Sequence, residues 1–484
     1  MKSTESTGRR GREGVERYDL AVIGGGTAGL VASAVSAGIG AKTALVEQHR
    51  LGGECLWTGC VPSKALIRSA SVLHTIRRAA DFGIDVEGGR ADFGRVMERI
   101  RSIIQTIEPH DSPERFRSLG VDVIEGRARF LSPEEAEVGG RRIRAKRWLL
   151  ATGSRTAVPA IPGLEEAGYL THEAVWDLSA LPQSLVVLGA GPIGIELAQA
   201  FSRLGSRVTV IGAAAQVLER EDPEIAAVLA RQLEREGIRV LLRSTATSVR
   251  VVGGEKVLTV GGGELRAAEI LVATGRRPNV EEMGLEMLGV EVGERGVKVD
   301  ASLRTSASNV WAAGDVAGPY RFTHVADYQA RIAAPNALFP IRRKVDYRVV
   351  PWCTYTEPEV ARVGMTEAEA RDAWGDAAGV FRYAHDSLDR ALCDGEPDGL
   401  TKVVLDPKGR IVGAHVVAPR AGETIHEAVL AVRHRLKLSD LSGMIHIYPT
   451  YPESLKRAAD AFLRAKYSGG LARRVADLAV RWLV

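Results

Sequence analysis

From Tyr18 the chain runs through a short apolar segment, YDLAVI, and breaks at GGGTAG. It resumes as the small, mostly apolar stretch LVASAVSAG and returns to an apolar run closing at Glu47, KTALVE. Short apolar runs bounded by glycine predict strands buried on both faces, and the small-residue stretch between them predicts a helix packed closely on those strands. The same order returns at SLVVLGAGPIGIELAQAFSRLGSRVTVIG, where the second strand ends at Gly212. Leu471, Val475, Leu478 and Trp482 recur at helical spacing, with Arg473, Arg474 and Arg481 largely on other faces. This stripe predicts an amphipathic helix over 469–484. Its apolar side has two destinations, the protein or its dimer mate on one reading and weak contact with a membrane surface on the other. The first 17 residues, MKSTESTGRRGREGVER, are polar and charged and predict a disordered tail.

Each strand, turn and helix carries a glycine triplet spaced G-x-G-x-x-G: Gly24, Gly26 and Gly29 in the first, with Thr27 and Ala28 inside it, and Gly189, Gly191 and Gly194 in the second. A dinucleotide pyrophosphate needs backbone N–H groups at a helix N-terminus with no side chain in the way, and an acid about twenty residues later accepts from the ribose hydroxyls. Glu47 supplies that acid in the first unit. The second has Gly212 instead, which removes a charge that would repel a 2'-phosphate and favours NADPH while leaving NADH open. Ala213, Ala214 and Ala215 follow, with no arginine among them to hold a phosphate, so Arg207 or Arg220 is expected to serve. Two such units imply two dinucleotides, one held and one exchanged, and hence electron transfer between them.

Charge and length change this picture little. Across 484 residues, 64 lysines and arginines face 60 acidic residues, a net +4 that argues against nucleic acid as a partner. No apolar run reaches the length of a membrane span and no signal-peptide core follows the N-terminus, so a cytoplasmic protein is expected.

Cysteine changes it more. Of four cysteines, Cys353 and Cys393 stand singly and read as small core or loop residues, while Cys55 and Cys60 share one loop, GGECLWTGCVPSKAL. In a reducing compartment a close pair reads as redox-active, as a structural disulfide, or as half of a zinc site; zinc would need two further ligands, no second cluster supplies them, and no metal site is predicted. On a regular helix the two would lie roughly 7.5 Å apart along the axis, beyond the ~7 Å that a disulfide tolerates between alpha carbons, so a bonded pair would require a distorted loop. A thiolate at the start of the VPSKAL helix would be stabilised by the helix dipole.

With this loop, and with LLATGSR, ILVATGRRPN, NVWAAGDVAG and YTEPEVARVG, the chain from Tyr18 to about Ala465 resembles the pyridine nucleotide-disulfide oxidoreductases. These FAD flavoproteins include dihydrolipoamide dehydrogenase, glutathione reductase and mercuric reductase. The resemblance implies an α/β fold with two Rossmann-like domains and an α+β interface domain. The corresponding segments are 18–155 and 276–345 for FAD, 156–275 for NAD(P)H and 346–468 for the interface. It implies FAD and NADPH or NADH as cofactors, with Gly53, Thr152, Gly153, Gly275 and Gly314 among the contacts and Asp315 on the flavin ribityl and phosphate region. Lys64 is implied to lie near flavin N5 and to pair with Glu196. Cys60 resembles the thiolate that contacts the flavin and Cys55 the thiol that attacks a small-molecule acceptor. A homodimer is implied, because the family's pocket joins one subunit's cysteines to the other's interface domain.

One motif departs from the family. Its disulfide-reducing members carry H-P-T-x-x-E, whereas this chain has Tyr448, Pro449, Thr450 and Glu453 in IHIYPTYPESLK. A tyrosine pKa near 10 against about 6.5 for histidine forfeits on the order of 5 kcal/mol for a base at neutral pH. A non-dithiol acceptor is therefore expected, such as a quinone, a metal ion or another electrophile. The alternatives are a dihydrolipoamide dehydrogenase-like enzyme in which water or His446 replaces the base, and a mercuric reductase; His446 faces the same way as Tyr448 if the segment is extended, and otherwise reads as a structural or interface histidine. Mercuric reductases carry a C-terminal cysteine pair, and no cysteine follows Cys393. A flavin-bound redox sensor without turnover is the non-enzymatic reading.

Overall fold

Apolar runs bounded by glycine become strands only where both faces are covered, and the first such run does. In a computed structural model, which describes residues 15–468 together with Leu478 and Trp482, the strand Glu16–Ile23 lies parallel between Thr43–Glu47 and Arg141–Leu150. The strand opens two residues inside the expected tail, so Glu16 and Arg17 belong to the sheet. Val121–Glu125 extends the sheet on one side, while Val310–Ala312 pairs with Arg141–Leu150 from the other. The antiparallel pair Ala128–Ser132 and Glu135–Val138 completes it. Alternate side chains feed two cores. Leu20, Val22, Leu45 and Leu149 pack on one face with Leu30, Ala330 and Ala333; Tyr18, Ala21, Val46 and Leu150 pack on the other with Phe130 and Trp148. Two-sided burial explains why these strands read as continuous apolar runs rather than alternating ones. The helix Thr27–Gly38 packs against Thr323–Leu338 on the first of those faces.

These elements form one of two compact units, made of the described residues 15–55 with 107–155 and 277–345. The second comprises 56–106, 156–276 and the described residues from Asp346 to Ser468. Its four-stranded parallel sheet runs Arg239–Leu241, Arg207–Ile211, Ser184–Leu188, Glu269–Val272, joined by an antiparallel meander over Ala246–Val252, Glu255–Val260 and Gly263–Ala267. A five-stranded antiparallel sheet, in the order Pro351–Thr354, Glu359–Gly364, Ile411–Ala418, Leu400–Leu405, Gly379–Ala384, carries the helices Ala421–His434 and Glu453–Tyr467. The expected segment 18–155 is therefore divided: residues 56–106 group with the second unit, because the helix Cys60–Arg77 packs along Pro192–Leu204 and sends Lys64 to Glu196 and Arg77 to the Arg203 carbonyl. The predicted terminal stripe lies outside the described residues except for Leu478 and Trp482, both helical and exposed. Among the described residues no helix is long and apolar enough to cross a membrane.

Within the second unit, Lys402 is 2% exposed and bonds Asp222 and Glu367, each at 2.7 Å, so one buried ammonium ties the helix Pro223–Arg235 and the helix Glu367–Trp374 to the five-stranded sheet. Burial opposes ionisation of Glu367, but the hydrogen bonds from Lys402 and Arg371 overcome it and hold its carboxyl at about 2. Removing one partner of such a group leaves a buried charge uncompensated, so Lys402→Met should lower the unfolding free energy by about 3–5 kcal/mol in a urea titration. A loss below ~1 kcal/mol would contradict this account. Because the folded pKa of Glu367 lies beneath its ordinary 4.5, its contribution is complete above roughly pH 5 and is lost as pH falls towards 2.

Candidate active site

The two glycine turns share one geometry. A Cβ on Gly29 would stand 1.7 Å from the Gly24 carbonyl oxygen, and one on Gly194 would stand 2.1 Å from that of Gly189. Gly24 (φ +109) and Gly189 (φ +117) would clash with the carbonyls of Ala151 and Ala273, each at 2.3 Å. The middle glycines differ. Nothing lies within 4 Å of the position a Cβ on Gly191 would occupy, and for Gly26 only Gly53 Cα does, at 3.9 Å. Each middle glycine is the N-cap of its helix, ahead of Thr27 and Ala28 in one and Pro192 in the other. Outer glycines let helix meet strand, and the middle one leaves the amide end of the helix open. This is the cradle that a pyrophosphate fits.

Other predicted contacts gather around the first turn. Glu47 accepts from the Gly25 N–H at 2.6 Å through one oxygen and from the His49 N–H at 2.8 Å through the other, so it braces the turn while retaining lone pairs for a ribose hydroxyl. Gly53 meets Gly26 backbone to backbone: a Cβ on it would lie 2.6 Å from Gly26 Cα. A Cβ on Gly314 would come within 3.2 Å of Ala28 Cβ, and the Gly314 N–H donates to Gln329 Oε1 at 2.6 Å. That contact brings the half-buried Asp315, which accepts from Ser154 Oγ at 2.5 Å, beside the helix N-terminus. Thr152 and Gly153 are held by Asn279, through Thr152 Oγ1 to its carbonyl (2.7 Å) and its own N–H to the Gly153 carbonyl (3.0 Å). In the second unit Gly275 accepts from the Ala157 N–H at 2.9 Å. The residues present fit two dinucleotides.

Cys60 is exposed and opens the helix Cys60–Arg77, and Cys55 is half-buried in the short helix Gly53–Trp57. Thr58, between them, has its carbonyl bonded by Trp176 Nε1 at 2.8 Å. One turn after Cys60, Lys64 Nζ meets Glu196 Oε2 at 2.8 Å, and Glu196 Oε1 accepts the Tyr355 N–H at 2.9 Å. The Tyr355 ring lies under the ammonium, 4.4 Å from its centroid to Nζ. Burial first, then the charges of Cys353, Glu359, Glu196 and Cys60, pushes the Tyr355 phenol up to about 12. Burial, followed by Glu359 and Glu196, likewise pushes the Cys353 thiol up, making this third cysteine a poor nucleophile. Among the described residues no His, Cys, Asp or Glu cluster is arranged to hold a metal ion.

Tyr448 donates to Asp389 Oδ2 at 2.6 Å and is 64% exposed. The hydrogen bond to Asp389 and that residue's charge, with Glu453 further off, raise the phenol above its ordinary value. Glu453 is buried and accepts from Arg457 at 2.6 Å. His446 does not share the tyrosine's direction: residues 445–447 form no strand, and the imidazole turns inward to Glu427, with its Nε2 at 3.0 and 3.1 Å from the carboxylate.

Residues 18–330 match the family described as pyridine nucleotide-disulphide oxidoreductase, and residues 350–459 match its dimerisation domain. The chain belongs to this family. It is 36% identical to a mercuric reductase of Bacillus cereus over 93% of its own length and 72% of that protein's. It is also 36% identical to a dihydrolipoyl dehydrogenase of Chlamydia trachomatis over 90% and 95%. Among solved structures, the HOCl-induced flavoprotein disulfide reductase RclA of Escherichia coli, described as a Cu(II) complex, superposes with a TM-score of 0.84 at 29% identity, covering 92% of this chain and all of that one. The family's enzymes are flavoprotein oxidoreductases that use FAD and NAD(P)H.

Sequence reasoning missed Tyr355, Trp176 and Asn279, because each acts through a backbone group or a contact far along the chain. A ring beneath an ammonium contributes about 0.5–2 kcal/mol, so Tyr355→Leu should slow reduction of this oxidoreductase by NAD(P)H about 2- to 30-fold. Tyr355→Phe, which keeps ring and N–H, should stay within about 2-fold. Stopped-flow absorbance of the flavin measures both, and equal rates for all three proteins would remove any role for the ring.

Proposed function

We propose that this oxidoreductase carries two electrons from NADPH to an electrophilic, non-dithiol acceptor, with a soft metal ion favoured over a quinone, and that Cys55 and Cys60 are its terminal redox pair. The observation that carries the reading is the hydrogen bond from Tyr448 to Asp389, made at the position where dithiol-reducing relatives carry a histidine base. A phenol held by a carboxylate remains protonated throughout the physiological range and serves as a donor, not a base.

FAD, when bound, supplies the two-electron chemistry that links nicotinamide to sulfur. The first glycine turn, with Glu47 and Asp315, is the proposed seat of its diphosphate and ribose, and the turn at Gly189 to Gly194 is the seat of the nicotinamide nucleotide. Cys60, at a helix N-terminus and one helical turn before Lys64, is suited to be a thiolate. Lys64 keeps its position because Glu196 is itself fixed by the Tyr355 N–H. In the reductive half, NADPH and a proton give NADP+ and convert the disulfide to two thiols. In the oxidative half the thiols re-form the S–S bond, release two protons and pass on two electrons, enough for one Hg(II) taken to Hg(0) or two Cu(II) taken to Cu(I). Thiolates bind such ions by ligand exchange, which needs no histidine. Relatives named as a mercuric reductase and as a Cu(II) complex support this acceptor class.

A homodimer is part of the proposal. Ile445 and Ile447, which flank the tyrosine segment, are 101% and 81% exposed, and a second copy would cover them through the matched dimerisation domain.

The second reading, a dihydrolipoyl dehydrogenase, is favoured by the Chlamydia relative's coverage, but it would need a base beside Tyr448, and His446 is turned inward onto Glu427 instead. An NADPH-driven panel of Hg(II), Cu(II), a soluble quinone, lipoamide and glutathione disulfide should rank a metal ion at least ~10-fold above both disulfides in kcat/KM. Lipoamide turnover at ~100 per second would favour the second reading. Cys55→Ser with Cys60→Ser should reduce metal turnover at least ~100-fold, and Tyr448→His should raise lipoamide turnover roughly 10-fold or more.

A further inference from the structure

Gly212 stands at the same offset from its glycine triplet as Glu47 does from the first, yet its surroundings differ. A Cβ on Gly212 would lie 2.8 Å from Ala190 Cβ and 3.3 Å from Leu242 Cδ2, so packing against the turn excludes a side chain there, acidic or basic. The next three residues are alanines. Arg207, expected from the sequence to hold a 2'-phosphate, opens the strand that Gly212 follows and therefore lies about 16 Å away at the opposite end.

A different arginine lies beside the gap. Just past the neighbouring strand Arg239–Leu241, the Arg243 N–H donates to the Ala214 carbonyl at 2.9 Å and the Ser244 N–H to the Gly212 carbonyl at 3.0 Å, which lays this segment along the loop that replaces the acid. Arg243 adopts φ +51, in the left-handed region that residues bearing a side chain rarely enter, and such positions concentrate at ligand clamps. Its side chain is exposed and forms no ion pair or hydrogen bond among the described residues. A guanidinium held by its backbone at this edge, beside a ribose pocket stripped of its carboxylate, matches the charge and the forked geometry of a phosphate monoester.

We propose that Arg243 recognises the 2'-phosphate of NADPH and is the residue that selects NADPH over NADH. The proposal rests on the reading of the second glycine turn as the nicotinamide nucleotide site, and it is independent of the acceptor. It is tested without turnover, by isothermal titration of the FAD-loaded protein with NADP+, with NAD+ and with adenosine 2',5'-bisphosphate. Arg243→Gly, which accommodates the positive φ, should weaken NADP+ and the bisphosphate about 10- to 100-fold while leaving NAD+ within about 2-fold. Arg243→Lys should recover part of the loss. Equal weakening of NADP+ and NAD+, no preference in the parent protein, or a selective loss in Arg220→Ala instead would overturn the assignment. Failure of the parent to bind either nucleotide would overturn it together with the reading of the second turn, whereas retained NAD+ binding with no 2'-phosphate discrimination would overturn Arg243 alone.

Discussion

Where helix meets strand in both dinucleotide turns, no atom larger than hydrogen fits. The Gly24 carbonyl occupies the space a Cβ on Gly29 would need, and the Gly189 carbonyl does the same at Gly194. That contact lets the helix Thr27–Gly38 settle on the strands Glu16–Ile23 and Thr43–Glu47, so that Leu30 and Ala32 join the core with Leu20, Val22 and Leu45. A methyl group at Gly29 would pry the helix outward and open that core. The same approach turns the free amides at the helix start towards solvent, where an anion can meet them. Fold and the proposed cofactor cradles thus rest on the same few atoms.

From this shared turn the two sites diverge through one residue. Glu47 uses both carboxylate oxygens to hold backbone amides on either side of its strand end, which stiffens the first cradle. Gly212 has no such group, and backbone bonds from Arg243 and Ser244 shape the edge of the second. A site braced by its own side chain suits a ligand that stays. One edged by main chain and long exposed side chains suits a nucleotide that enters and leaves with each turnover.

How much of this was legible depended on how local the cause is. The strand, glycine turn and helix units are contiguous, so pattern and spacing revealed both, and the family motifs pointed to the pairing of Lys64 with Glu196 across 132 positions. Tyr355 escaped notice because its N–H, which any residue other than proline would supply, fixes Glu196. Of the two arginines expected as a phosphate clamp, Arg207 and Arg220, Arg207 sits at the wrong end of its strand, a matter of direction that a list of basic residues does not encode. His446 was expected to face with Tyr448 on the assumption of an extended segment, and the chain there forms no strand. The division of residues 18–155 was equally hidden, since the packing of Cys60–Arg77 on Pro192–Leu204 joins segments more than a hundred residues apart.

The remaining step concerns protons. A dithiol acceptor must exchange a proton with some group each time its thiol attacks or leaves, and a histidine near neutrality performs that at little cost. Here the residue in that position is a phenol bonded to a carboxylate: Asp389 accepts its hydrogen bond, and the charge of Glu453, further off, acts in the same direction. Both favour the neutral form, so the departure from the family motif is reinforced by its surroundings rather than compensated by them. Meanwhile Cys60 stands at a helix start, and one turn on Lys64 is tied to Glu196 and through it to the Tyr355 N–H, the surroundings in which the proposal places a reactive sulfur. On the proposed reading, sulfur kept ready to deliver electrons beside a position without a proton-exchanging base suits acceptors that take electrons from thiolate directly.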